Sequence, residues 1–259
     1  MQYLNFFLIL VVFSFVGCST QNKKNNPKEI AALNKALSEY HVNQVLIYSD
    51  NSGKFSIKRT LKNKGEKILF QRMIYQDDFS KFLERSRSVS IYNMNESEEK
   101  KVSPLLSQYT AWFDGMEYSN QFKVSYAKRE VEILVVSKDK KFPAREKFSL
   151  PPENKKICFF SMIPECMKLW GIPAKVQSSK NFETWFYVVM DAYPFIELQY
   201  KDIPNKWITE ATLVYDGMQD KEHQFTMELH EQVISLKFNE GWSFIALYWV
   251  SQGLTMVTN

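Results

Sequence analysis

From residue 41 onward the chain alternates apolar and polar residues with a period of two, the signature of strands that bury one face. The pattern predicts strands at 45–48, 55–61, 67–75, 88–92, 106–113, 116–124, 131–137 and 145–150. After Pro151-Pro152-Glu153-Asn154, the clearest break in the chain, it resumes at 157–161, 182–190, 195–200, 208–215, 224–230, 233–238 and 243–250. Short strands at regular spacing with tight turns between them argue for an antiparallel meander. The expected class is mainly β: a curved half-barrel or a sandwich, with an N-terminal helix and one or two short helices.

Asp50-Asn51-Ser52-Gly53 and Lys64-Gly65 are the expected turns between the first three strands. Residues 77–84 are expected as a short helix. Upstream, Ile30, Leu33, Ala36, Leu37 and Tyr40 make one apolar stripe at helical spacing, with Pro27 near the first turn and Glu29 at the positive end. His41 would end that helix. Phe113-Asp114-Gly115-Met116 leads to Gln121-Phe122, and Tyr215-Asp216-Gly217-Met218 leads to Gln224-Phe225. Two hairpins that both use an Asp-Gly turn explain this simply; a duplication of half-sheets about Pro151-Pro152 is the sharper reading. One β-rich domain is expected over 28–259, divisible into 28–150 and 155–259.

The late strands break the alternation. In 242–250 one face would carry Trp242, Phe244, Ala246, Tyr248 and Val250, and the other Ile245, Leu247 and Trp249. Residues 185–190 are likewise apolar on both faces. A strand apolar on both faces must be covered on both. A plain sandwich core does this, and so does a lipid-sized cavity. Trp185, Tyr187, Trp242, Phe244, Tyr248 and Trp249 are the candidate ligand-binding residues.

Composition narrows the function classes. The net charge of +4 is modest, and the lysines fall in short loop-like pairs such as Lys100-Lys101 and Lys140-Lys141. No basic stripe of the kind that binds nucleic acid results. No Gly-x-Ser-x-Gly elbow and no phosphate-cradling glycine loop occurs in the sequence. His223 and His230 are seven apart, so on one strand they would point to opposite faces; Glu228 and His230 would share one. No cofactor, no metal and no enzymatic activity are expected.

The N-terminus sets the location. Residues 4–16 are nearly all apolar, far fewer than the roughly 20 that span a membrane, and fit the core of a signal peptide. Phe15-Val16-Gly17-Cys18 follows and resembles the lipobox of bacterial lipoproteins. The resemblance implies a signal peptide over 1–17, cleavage before Cys18 and lipidation of its thiol. Residues 18–27 then read as a polar tether reaching roughly 30 Å. Ser19 implies the outer rather than the inner membrane, with the domain facing the periplasm or the cell surface. In that oxidising compartment Cys158 and Cys166 remain as an even pair, and a disulfide is favoured over two buried thiols.

A lipid-anchored chain with an N-terminal helix and a long antiparallel meander also resembles the LolA/LolB type of half-barrel lipoprotein carriers. The segment Ala111-Trp112-Phe113-Asp114-Gly115-Met116 is similar to the Asp-Gly hairpin of such sheets. The resemblance implies a curved sheet that holds acyl chains. The expected function is a membrane-anchored envelope lipoprotein that binds a hydrophobic ligand. The alternative is a non-enzymatic interaction lipoprotein that packs on another envelope protein.

Overall fold

The structure, a computed structural model, describes residues 41–50, 52–76, 81–93, 101–113, 115–137, 139, 141–152, 155–179 and 181–258. The expected signal peptide, Cys18, the tether and the N-terminal helix lie outside the described residues. Fifteen strands share one sheet: β1 (His41–Ser49), β2 (Phe55–Lys64), β3 (Lys67–Gln76), β4 (Lys81–Asn93), β5 (Lys101–Phe113), β6 (Met116–Ser125), β7 (Glu130–Val136), β8 (Arg145–Ser149), β9 (Ile157–Phe159), β10 (Glu183–Val189), β11 (Ile208–Gln219), β12 (Glu222–Leu229), β13 (Gln232–Asn239), β14 (Phe244–Trp249) and β15 (Leu254–Thr258). Their spatial order is β8-β7-β6-β5-β4-β3-β2-β1-β15-β14-β13-β12-β11-β10-β9.

The order shows two arms. The first, β1 to β8, runs from the centre of the sheet to one edge. The second, β9 to β15, starts at the other edge and returns to the centre, where Tyr48 pairs with Thr258 and Ser49 with Val257. Laid flat at about 4.8 Å per strand, fifteen strands would hold the two edges about 67 Å apart. The chain between Ser149 and Ile157 reaches at most about 29 Å. The sheet must therefore curl. Edge strand β8 reaches the second arm without pairing with β9: its Phe148 stacks on Trp207, just before β11, with ring centroids 5.5 Å apart. Bulges at 74/75, 89/90, 215/217 and 237/238 supply local bends.

Inside the curl lie residues 160–178 and 190–207, on either side of β10. Two short helices, α1 (Ile163–Leu169) and α2 (Ile172–Ser178), connect β9 to β10, and this pair is parallel. Pro164 and Pro173 open the two helices, and Gly171 at φ 68° turns the chain between them. Ile163, Cys166, Met167 and Trp170 form the buried stripe, and the Trp170 ring lies 5.0 Å from that of Phe186 on β10. The disulfide pairs Cys158 with Cys166, Cα atoms 6.4 Å apart, and so ties α1 to β9.

Several expectations are corrected. The described part of 77–84, residues 81–84, is strand and not helix. His41 opens β1 and does not end a helix. The strand expected at 195–200 is the one-turn helix α3 (Ile196–Gln199); Phe195 and Ile196 are adjacent and both fully buried, which a strand with one wet face does not allow. Asp216-Gly217 is no turn: it lies within β11, where Gly217 at φ 112° makes the bulge. The turn comes later, at Asp220 and Lys221, with φ 52° and 65°. The likeness to the hairpin turn at Gly115 is thus one of sequence and not of conformation.

Candidate functional site

The inner face of the first arm carries polar groups among its apolar ones. Arg59 on β2, Arg72 on β3, Glu84, Ser86, Ser88 and Ser90 on β4, Ser107 on β5 and Asn120 on β6 are all buried. Some pair with one another, and others pair with the stretch inside the curl. The Asp191 carboxylate accepts from the Ser161 backbone N–H at 2.8 Å, Ser107 Oγ at 3.1 Å and Ser88 Oγ at 3.3 Å. Asn120 Nδ2 donates to the carbonyls of Asp191, at 2.7 Å, and Tyr193. Arg72 pairs with Glu84, Tyr109 Oη donates to Glu84 at 3.1 Å, and Gln199 Nε2 donates to Tyr109 Oη.

Burial governs the electrostatics of this network. It raises the Asp191 carboxyl above its usual range, against the hydrogen bonds that favour the charged form. It pushes the Tyr200 phenol up to about 12, against Arg72. Burial alone would lower Arg72, and the Glu84 carboxylate holds it above its usual range. Ser88, Ser107 and Asp191 bring a carboxylate to two hydroxyls, and their exposure is 0–2%. The cluster joins the inner stretch to β4 and β5.

At one rim of the curl the arrangement opens. Leu46, Leu61, Ile68, Leu169 and Phe244 line a cleft of about 130 Å³, with Glu165 and Lys168 at its edge. Beneath it Arg59 Nη2 donates to both carboxylate oxygens of Glu165, at 2.7 and 2.9 Å. The guanidinium also sits 4.8 Å from the Phe70 ring centroid and 5.0 Å from that of Phe244. This is an apolar slot, and the buried guanidinium near it is already paired with Glu165.

The six expected ligand residues do not meet. Phe244 lines the rim cleft. Trp249 is buried between Phe160 and Tyr200, centroids 5.5 and 5.0 Å away, and its indole N–H donates to Gln232 at 3.2 Å. Trp242 sits in the turn after β13 at φ 61° and stacks on His223 at 3.9 Å. Tyr248 faces outward under Lys237 Nζ, 5.6 Å from its ring centroid. Trp185, 45% exposed, and Tyr187 share the outer face of β10. The reason is the bulge on β14. Phe238 pairs with Phe244 and Lys237 with Ala246, so Ile245 is the extra residue and the faces exchange there. Phe244, Leu247 and Trp249 point inward, and Ala246 and Tyr248 outward. Strict alternation wrongly puts Phe244 and Tyr248 together.

His223 is buried and bonded to the Tyr215 hydroxyl at 3.0 Å, whereas His230 lies beyond the end of β12 in an exposed turn at φ 56°. Sequence reasoning did not single out Arg59, Glu165 or Asp191. Asp191 had one signal: it follows Val188-Val189-Met190 directly, a carboxylate at the end of a fully buried run. Comparison of the chain with protein-family models, curated proteins and solved structures finds no match to any of them.

Proposed function

We propose that this chain is a lipid-anchored protein of the bacterial envelope that takes the end of an acyl chain into the rim cleft. The observation that carries the reading is the apolar slot of Leu46, Leu61, Ile68, Leu169 and Phe244. Its volume equals that of roughly four waters, which suits a chain end and not a whole lipid. Dispersion contacts and dryness are enough to hold such a chain, and no catalytic group is needed. The Cys18→Ser chain should show saturable quenching of its tryptophan fluorescence by a brominated fatty acid. Leu46→Trp, which fills the slot, should weaken that binding. Equal affinity in the filled variant would sink the reading. The same Cys18→Ser change should abolish acyl labelling of the protein in cells.

A second reading, an interaction lipoprotein, is favoured by a separate feature. Val45 and Ile47 on β1 and Val257 on β15 are each more than 40% exposed on the outer face where the two arms join. β-branched residues side by side on an open sheet face suit a protein partner. Replacing Val45 and Ile47 by Ser should release an envelope partner recovered by crosslinking on this reading, and leave lipid binding intact.

A further inference from the structure

The outer face of β10, β11 and β12 carries a cleft of about 460 Å³, well within the range of small-molecule sites. It lies on the opposite face of the sheet from the rim cleft and owes nothing to it. Its lining includes Tyr187, Ile208, Glu210, Thr212, Glu228 and His230. The Tyr187 ring is propped edge-on by Trp185, centroids 6.0 Å apart and planes at 82°. Trp185 is held from the other side by Lys155, whose Nζ lies 3.9 Å from its ring centroid. Two aromatic rings thus stand together on the outer face of β10, Trp185 45% exposed and Tyr187 half-buried.

The ligand class follows from the lining. An anion would meet Glu210 and Glu228, and a cation would meet Lys206, which also lines the cleft. An uncharged ligand rich in hydroxyls meets neither conflict. Its hydroxyls can donate to the carboxylates and accept from Lys206 and Thr212. Its C–H face can lie on the Tyr187 ring, while Ile208 keeps part of the floor dry. We propose that this outer cleft is a carbohydrate-binding site that takes an uncharged oligosaccharide.

The full chain, purified in a sugar-free detergent, should be titrated with chitotetraose, cellotetraose and maltotetraose by saturation-transfer NMR and calorimetry. Saturable binding of at least one is expected. Tyr187→Ala and Glu228→Gln should each weaken it at least about tenfold, the factor that 1.4 kcal/mol of lost contact gives. Tyr187→Phe keeps the ring and should retain most of the binding. Val136→Ser, on the outer face of β7, should leave it unchanged. Circular dichroism matching the unaltered chain guards against misfolding of a variant. Failure of all three sugars to saturate at millimolar concentration would overturn the proposal. So would binding that Tyr187→Ala leaves intact, or an oligolysine peptide that binds more tightly than any of the sugars.

Discussion

On β12 the inner face reads Phe225, Met227 and Leu229, and on β13 Ile234, Leu236 and Phe238. On β4 it reads Glu84, Ser86, Ser88 and Ser90, with Arg72 beside it on β3 and Ser107 on β5. Both walls are buried, but they cohere differently. The apolar wall needs only to be dry, and each large side chain contributes about 1.5–3 kcal/mol whatever apolar group covers it. On the polar wall each group must find its own partner, because a buried unpaired one costs about 1–3 kcal/mol, more if charged. Arg72 and Glu84 find each other within the arm, and several of the other partners come from the inner stretch, through Ser161, Glu165, Asp191 and Gln199. The second arm supplies free energy, and the first arm decides which segment may fill the curl.

The largest expected effect tests this directly. Glu84→Ala leaves Arg72 buried and unpaired and should cost about 3–5 kcal/mol. Adding Arg72→Met should return most of that loss, because an apolar group of similar volume carries no stranded charge. Phe225→Ala, which removes a ring packed on those of Tyr215 and Phe238, should also cost about 3–5 kcal/mol. That loss comes from a cavity, so no charge-removing second change restores it. Urea midpoints of the three variants decide the matter. A double variant as unstable as Glu84→Ala would erase the distinction between the walls.

The disulfide sharpens the comparison at the next level. It closes a loop of sequence separation 8 and holds α1, with Glu165, in place below the first arm. Replacing both cysteines by Ser should cost about 2–3 kcal/mol through the freed unfolded chain. Hydrogen exchange should then rise first in α1 and α2 and little in β12 and β13. A uniform rise would show that the inner stretch and the apolar wall are one cooperative unit.

The same contrast explains how far the fold could be read from the sequence. β12 and β13 follow the period of two because their buried faces are apolar, and they were placed within two residues. β4 was read only from residue 88 onward. Its buried face begins Glu84, Ser86, and an inward carboxylate or serine looks like a loop to any rule that expects apolar residues inside. Pro104 within β5 shortened that strand in the same way. The helices α1 and α2 were missed, although Ile163, Cys166, Met167 and Trp170 hold helical spacing, because each is only seven residues long. Of the aromatic residues, Trp242 falls outside its expected strand and Phe244 and Tyr248 fall on opposite faces, since a bulge is invisible to strict alternation. Arg59 and Glu165 are 106 residues apart, and only the folded chain brings such a pair together.

The smallest effects should run in opposite directions with pH, one from each region. Asp191 faces the polar wall, and burial raises its carboxyl above its ordinary value of 3.8. The folded chain therefore prefers it protonated. That contribution is complete below the unfolded value and is lost as pH rises through the folded one. His223 belongs to the apolar arm, and burial lowers its imidazole below 6.5, against the pull of Glu240. The folded chain prefers it neutral, so its contribution is complete above the unfolded value and is lost as pH falls through the folded one. Asp191→Asn keeps groups that can bond Ser161, Ser88 and Ser107 and removes the titration. It should flatten the fall in stability that begins near pH 4 as the solution is made less acidic. His223→Phe keeps a ring against Trp242, 3.9 Å away in the unaltered chain, and should flatten the fall that begins near pH 6.5 on acidification. Melting temperatures of both variants between pH 3 and pH 8 separate the two contributions. If the two slopes share one sign, the buried carboxylate is held charged by Arg72, and the polar wall is governed by ion pairing and not by desolvation.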